Sequence, residues 1–399
     1  MNSSPPASVE SSPLNGTSKT SQTIGYYTAF VALGLSAASL GPTLPGLVEH
    51  TQTHFSQISF LFVARSLGYL LGSLQAGQLY DRLRGHLVLA GTLLAMAAML
   101  SLVPLVPALW LLTAALLVLG VAEGTLDVGG NTLLVWAHRH KLGLAMNGLH
   151  FCYGAGAFLS PIIIAQAVLV SGDITWAYWA LALLMLPAVL WLLRLPSPEN
   201  KPDGDPGRAG KANQRLIILI SLFFFFHMGA GVSFGGWLFT YTTTLNLGSP
   251  TMAAYLTSAF WGSLTLGRLL TLPVVARFRP TSILFANLIG CVVSVGIIVL
   301  WPGSQEAIWL GSLGFGLSLA AVFPTSLCLA QGRMAITGRI TSWFLAGGSL
   351  GGMCLPWLIG QLFETVGPQS VMFTVIFAML AALIVLSVLI VFEPAHSKA

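Results

Sequence analysis

Charge is what this chain has least of. Of its 399 residues, 17 are Lys or Arg and 12 are Asp or Glu, 7% in all, while 55% are hydrophobic. A soluble globular chain carries about a quarter charged residues. With a mean hydropathy of +0.83, the sequence lacks the polar side chains needed to cover a water-facing surface, so its solvent is lipid. Cysteine is scarce too. Cys152, Cys291, Cys328 and Cys354 all lie in apolar segments without metal-type spacing, which argues against a zinc site or a disulfide framework and reads as small buried hydrophobes. No Gly-x-x-x-x-Gly-Lys-Ser/Thr stretch occurs, so nothing points to ATP as an energy source. The net charge of +5 does not indicate a nucleic-acid partner, because the basic residues sit in short connectors rather than on one face.

What is present is a series of long apolar runs. A membrane-spanning helix needs about 20 apolar residues. Breaks fall near 48–55, 82–86, 104–108, 137–142, 171–175, 196–214, 243–250, 277–281, 302–307, 332–338 and 364–369. The fold class expected is therefore an all-α membrane protein of twelve transmembrane helices. Residues 1–21, rich in Ser, Thr and Pro, read as a disordered tail. An N-terminal six-helix half follows over 22–195, a polar linker over 196–213, a C-terminal six-helix half over 214–392, and a short tail over 393–399.

Lys and Arg alternate between connections. Arg82, Arg84, Arg139, Lys141, Arg194, Lys201, Arg208, Lys211, Arg215, Arg277, Arg279, Arg333 and Arg339 lie in or beside every second break. The opposite set carries acids such as Glu49, Asp173, Glu306 and Glu364. The positive-inside rule places both termini in the cytoplasm, of an integral protein of the cell membrane.

The two halves share a pattern. "GAFLSPIIIAQ" (156–166) and "GGMCLPWLIGQ" (351–361) match at Gly156/Gly351, Pro161/Pro356 and Gln166/Gln361, in the fifth and eleventh spans. Two six-helix halves related by an axis along the membrane normal are the design of major facilitator carriers. "GQLYDRLRGH" (77–86) resembles the loop signature of that superfamily, with Gly77, Asp81 and Arg82 as its conformational elements. Gly77 suits close helix approach; Asp81 and Arg82 suit pairing across helix ends. "LDVGGNTLLVW" and "AMNGLHFCYGAGAFLSP" carry a narrower resemblance, to the fucose-permease and sodium-dependent glucose transporter-like group of sugar symporters. Asp127 and Asn131 match that group's acid-x-x-x-Asn pair. Its fucose-permease members also place an acid in the first helix, where "SLGPTLPG" (39–46) has none.

Few ionisable groups lie inside the apolar runs: Arg65, Glu123, Asp127, His150, His227 and Arg268. A charge at mid-bilayer costs about 2.5–3.5 kcal/mol even on insertion scales, so such groups face protein or a wet cavity and default to function. Glu123, Asp127 and Asn131 fan over roughly 80° of one helix face at 100° per residue. Adjacent acids disfavour joint ionisation, which suits binding of a proton or cation. Asp127 and Glu123 are the ion-coupling candidates, and the metal ligands if the ion is sodium. Arg65, on the second span, is a candidate partner of Glu123, as a structural ion pair or as a switch that swaps acids. Asn131, Asn147, His150, His227, Trp237 and Trp261 are candidates for solute contact, as hydroxyl partners or as rings for a sugar's C–H face, and Tyr241 marks the same helix as His227 and Trp237. Arg268, in "LTLGRLL", reads as structural. Aligning the halves on Pro161 and Pro356 sets Glu123, Asp127 and Asn131 against Ser318, Val322 and Ser326, so ion handling belongs to the first half.

These readings describe a carrier, not an enzyme, since no nucleophile–base pair accompanies the midplane polar groups. It is expected to move a small polar solute, a monosaccharide such as glucose or fucose, in symport with sodium or protons, as a monomer. No cofactor is expected beyond a bound sodium ion. The alternative is a proton-coupled drug or metabolite exporter of the same fold.

Overall fold

The computed structural model describes residues 13–138, 142–198, 214–334 and 338–391. Every regular element among them is helical. The first half contains α1 (Pro13–Ala37), α2 (Leu40–Thr51), α3 (Phe55–Ile58), α4 (Phe60–Arg82), α5 (Gly85–Leu102), α6 (Leu109–Ala137), α7 (Leu142–Ser171) and α8 (Ile174–Leu193). The second contains α9 (Gln214–Thr244), α10 (Pro250–Val275), α11 (Pro280–Leu300), α12 (Gln305–Leu319), α13 (Val322–Gln331), α14 (Gly338–Phe363) and α15 (Ser370–Val391). Much of the expected tails and linker, at 1–12, 199–213 and 392–399, lies outside the described residues. Residues 13–21, expected as part of a tail, are helical instead. Pro13 begins α1, where its missing N–H is one the helix leaves unbonded anyway.

Among the described residues, ten helices are long and apolar enough to cross a membrane, or eleven when α1 and α2, bent by 45° at their break, count as one span. The remaining candidate, α10, has 26 residues, and its six Ser and Thr residues with Arg268 lower its hydropathy. Counting it gives twelve. Trp110 is 72% exposed, Leu144 82% and Val170 87%. Such an apolar outer surface suits lipid and not water. Chain reversals are built locally. After α7, Gly172 takes φ +75°, and the Asp173 side chain then caps α8 by accepting the Thr175 N–H at 3.0 Å. That bond holds the exposed Asp173 carboxyl below its usual range.

Equivalent contacts recur in the two halves. Gly156 of α7 lies so close to the Val31 carbonyl of α1 that a Cβ would not fit, and Gly351 of α14 lies equally close to the Phe225 carbonyl of α9. The first-to-fifth and seventh-to-eleventh span contacts are thus made by the same glycine of the shared pattern.

The side bearing the Lys- and Arg-rich connections is termed the basic side, and its opposite the acidic side. Towards the acidic side the halves are joined. Trp237 stacks between Phe62 (centroids 6.0 Å) and Phe363 (5.2 Å). Gln361 Nε2 donates to the Ser56 carbonyl at 2.7 Å, and Gln166 Nε2 to the Tyr255 hydroxyl at 2.6 Å. The Phe55 N–H donates to Glu364 at 2.8 Å. Near mid-depth, Gly154 of α7 meets Thr265 of α10, and Ser66 Oγ donates to the Gly352 carbonyl at 3.3 Å.

Candidate functional site

The site grows from one close helix pair. Gly68 and Gly72 of α4 and Gly120 and Gly124 of α6 leave no room for a Cβ against the partner backbone. These two Gly-x-x-x-Gly steps bring parallel helices into direct contact. The pairing has a fixed register of 58 residues, which sets Arg65 beside Glu123 and Tyr69 beside Asp127.

Glu123 is 4% exposed and fully engaged. Arg65 donates to it as a fork, Nε to Oε2 at 2.9 Å and Nη2 to Oε1 at 2.5 Å. Ser36 Oγ also donates to Oε1 at 2.5 Å. Arg65 Nη2 donates further to the Ser36 carbonyl at 2.7 Å, on the last turn of α1 just before the bend. The cluster therefore ties the broken first span to the second and fourth spans. A bidentate arginine–carboxylate pair has strong geometric demands, and here each ion neutralises the other.

Asp127, one turn towards the basic side, is bonded differently. The Tyr69 hydroxyl donates to one oxygen, and Asn131 Nδ2 donates to the other at 3.1 Å and to the Asp127 backbone carbonyl at 2.8 Å. Both donors are neutral. The amide nitrogen of Asn131 is thus committed to the acid, and its Oδ1 accepts no hydrogen bond from the described residues. Asp127 also faces the His150 imidazole within electrostatic range.

On α7, Asn147 and His150 are exposed. His150 meets Phe30 edge-on at 6.0 Å, and Asn147 makes no hydrogen bond with described residues. Tyr153, three residues on from His150, lies within electrostatic range of Arg65, Glu123, Asp127 and Arg268. It therefore sits where the charges of both halves converge.

The second-half candidates divide. His227 is 2% exposed, bonds the Phe223 carbonyl through Nδ1 at 2.9 Å, and packs against Phe223 and Phe224 at 5.0 Å. Trp237 is fully buried in the aromatic seam and donates to the Pro356 carbonyl at 3.1 Å, and Tyr241 is also buried. These placements put His227 and Trp237 in helix packing and not beside Asp127. Trp261 lies between α9 and α10 against Gly235, with its indole N–H buried and unpartnered. Arg268 was expected to be structural, yet it forms no ion pair or hydrogen bond with described residues. Of the positions aligned with the acids, Val322 is buried, and Ser326 donates to the Phe323 carbonyl at 2.7 Å.

One loop element also differs from expectation. A Cβ on Gly77 would meet nothing within 4 Å, so the close approach belongs to Gly68 and Gly72. Asp81 and Arg82 are exposed at the end of α4. They border a cavity of about 570 Å³ with His86, Trp136 and Ser197. Tyr69 and Tyr153 were missed in the sequence. Tyr69 had a signal, since it follows Arg65 by four residues as Asp127 follows Glu123.

A family model described as Major Facilitator Superfamily matches residues 26–344. The mouse protein named Sodium-dependent glucose transporter 1A is 30% identical over 374 residues, covering 84% of this chain and 88% of that protein. The Xenopus laevis protein named Sodium-dependent glucose transporter 1 is 32% identical over 359 residues, covering 82% of this chain and 73% of that protein. Among solved structures, a D-xylose-proton symporter aligns at TM-score 0.76 over 92% of this chain and 97% of its own, at 15% identity. A nucleoside transporter aligns at TM-score 0.74 over 94% and 99%, at 14% identity. These two likenesses are of fold alone. The chain belongs to the Major Facilitator Superfamily. It is an integral membrane transporter of small molecules and not an enzyme.

Proposed function

We propose that the protein carries a monosaccharide in symport with sodium, and that Asp127 holds the coupling ion. The observation that carries this reading is the contrast between two acids one turn apart. Glu123 has its counter-ion in Arg65, whereas Asp127 has only neutral hydrogen-bond donors. A carboxylate at mid-span without a cation calls for one. The Asp127 carboxylate and the Tyr69 hydroxyl are hard oxygen ligands of the kind sodium takes, as other hard cations do. The names of the mouse and Xenopus relatives favour sodium over protons and a hexose over other solutes.

The transport cycle follows from the halves. With the basic side cytoplasmic by the positive-inside rule, the seam of Trp237, Gln361 and Gln166 closes the outer end, and exposed Asn147 and His150 open the site inward. Ion and sugar binding to one conformation, followed by rocking of the halves about the seam, gives alternating access. Asn147, His150 and Asn131 Oδ1 supply the hydroxyl contacts, and both termini are cytoplasmic.

The test is uptake of labelled monosaccharides into proteoliposomes under imposed sodium or proton gradients. A sodium gradient should drive accumulation at fixed pH. Uptake that follows pH and ignores sodium would replace sodium with a proton at the same carboxylate. Uptake that follows neither gradient would remove ion coupling altogether.

A further inference from the structure

Among the described residues of the spans, two open charges remain once Arg65 and Glu123 neutralise each other. One is Asp127 on α6 in the first half; the other is Arg268 on α10 in the second. The packing of α10 fixes where Arg268 points. Gly262 lies against Phe158 and Thr265 against Gly154, so this face of α10 rides on α7. Gly267 is turned the other way, against Leu317 of α12 and Ala320 just after it. Arg268 follows Thr265 by three residues on the α7-facing side, one turn nearer the basic side. There it lies within electrostatic range of His150 and Tyr153. Both of those residues also face Asp127. The charged and titratable groups around this space are therefore Asp127, Tyr69, His150, Tyr153 and Arg268, with the closed Arg65–Glu123 pair behind them. Arg268 is partly buried and has no counter-ion among the described residues.

We infer that Arg268 is the anion-recognising residue of the solute site, and that the preferred solute is a sugar bearing a carboxylate. This inference rests on the reading of Asp127 as the cation site. A carrier crosses between its two orientations empty and fully loaded, and an unbalanced charge at mid-bilayer opposes both crossings. Empty, Asp127 and Arg268 sum to zero. Loaded with one sodium ion and a neutral sugar, the site carries one net positive charge. Loaded with one sodium ion and a monoanionic sugar, it returns to zero. Guanidinium is also the side chain best shaped to take a carboxylate, by two parallel hydrogen bonds. Asn147 and Asn131 Oδ1 remain for the hydroxyls of the same solute, and the unpartnered Trp261 N–H lies on the same face as Arg268, seven residues earlier.

The experiment compares labelled D-glucuronate with D-glucose in proteoliposomes of the full chain under an inward sodium gradient. Wild-type protein should prefer glucuronate by about tenfold in kcat/KM, and Arg268→Gln should lower that preference by about 30-fold, the range expected for a lost charge-assisted hydrogen bond. Arg268→Lys should fall between them, because a point charge remains without the planar fork. Glucuronate uptake by the wild type should be indifferent to an imposed inside-negative potential, a readout that survives if Arg268→Gln does not fold. Preference for glucose in the wild type, an unchanged preference in Arg268→Gln, or voltage-driven glucuronate uptake would each overturn the inference. Sodium-driven accumulation of glucose with glucuronate ignored would do so while leaving the proposed sugar symport intact. Failure to accumulate either sugar would remove both.

Discussion

In the first half, α6 is one continuous helix of 29 residues that presents Glu123 and Asp127 to α4, with Asn131 bonded to Asp127 one turn on. In the second half the matching span is broken into α12 and α13, and its aligned positions are Ser318, Val322 and Ser326. Yet the same halves agree where they touch. Gly156 and Gly351 make equivalent contacts with the first and seventh spans. Gln166 and Gln361, equivalent in the repeat, both donate hydrogen bonds across the seam, at 2.6 and 2.7 Å. The comparison teaches that the repeat preserves the contacts between helices and between halves and diverges where the proposed site lies. A rocking mechanism needs matched seams on both halves, whereas the proposed cation site at their centre needs only one acid without a counter-ion.

The largest expected effect breaks the comparison on its charged side. Arg65→Gln or Glu123→Gln leaves a buried ion without its partner and should cost about 3–5 kcal/mol of stability. Thermal unfolding in detergent would read this directly. The double variant should lose less than either single one, and a double loss equal to the sum of the two single losses would mean that the pair carries no coupling energy. Next in size is the symmetric seam. Gln166→Leu and Gln361→Leu each remove a neutral hydrogen bond worth about 0.5–1.5 kcal/mol, in favour of the conformation open on the acidic side. Spin-label distances across that side should shift for both variants by similar amounts and nearly add in the double variant, since the two sites share no partner. A shift in one alone would show that the seam is not symmetric. The smallest effect is Gly77→Ala, where no atom lies within 4 Å of the added Cβ. Its unfolding temperature should stay within the change that about 0.5 kcal/mol produces, whereas Gly72→Ala, against the Val121 carbonyl, should unfold well below the parent.

Spans, their order and the repeat were legible because lipid imposes length and hydropathy on every crossing, and Gly/Pro/Gln spacing survives in both halves. The acids were legible because charge is so rare here. Their difference was legible only in part, through the Asn131 that follows Asp127 and an Arg65 placed to reach Glu123. Otherwise Glu123 and Asp127 look alike along the chain, and the α4 register shows that one meets Arg65 and the other Tyr69. His227 and Trp237 misled for a related reason: in an apolar helix, a polar or aromatic residue facing a neighbouring helix reads the same as one facing a cavity. Gly77 sits in a recognisable loop pattern, but the glycines that allow close approach, Gly68, Gly72, Gly120 and Gly124, lie deeper in the spans and show their purpose only when two helices are brought together. Arg268 hid in plain view, because its lack of a partner among the described residues is a property of the fold.

The contrast between two acids one turn apart is tested most directly by Asp127→Asn in proteoliposomes, which keeps the shape and the hydrogen bonds to Tyr69 and Asn131 but removes the charge. Under an inward sodium gradient, labelled sugar should reach equilibrium and rise no further, while exchange of labelled for unlabelled sugar across the membrane continues. The Asp127→Asn carrier should also lose the tightening of sugar binding by sodium that linkage requires of the parent. If it still concentrates sugar against a gradient, Asp127 does not hold the coupling ion.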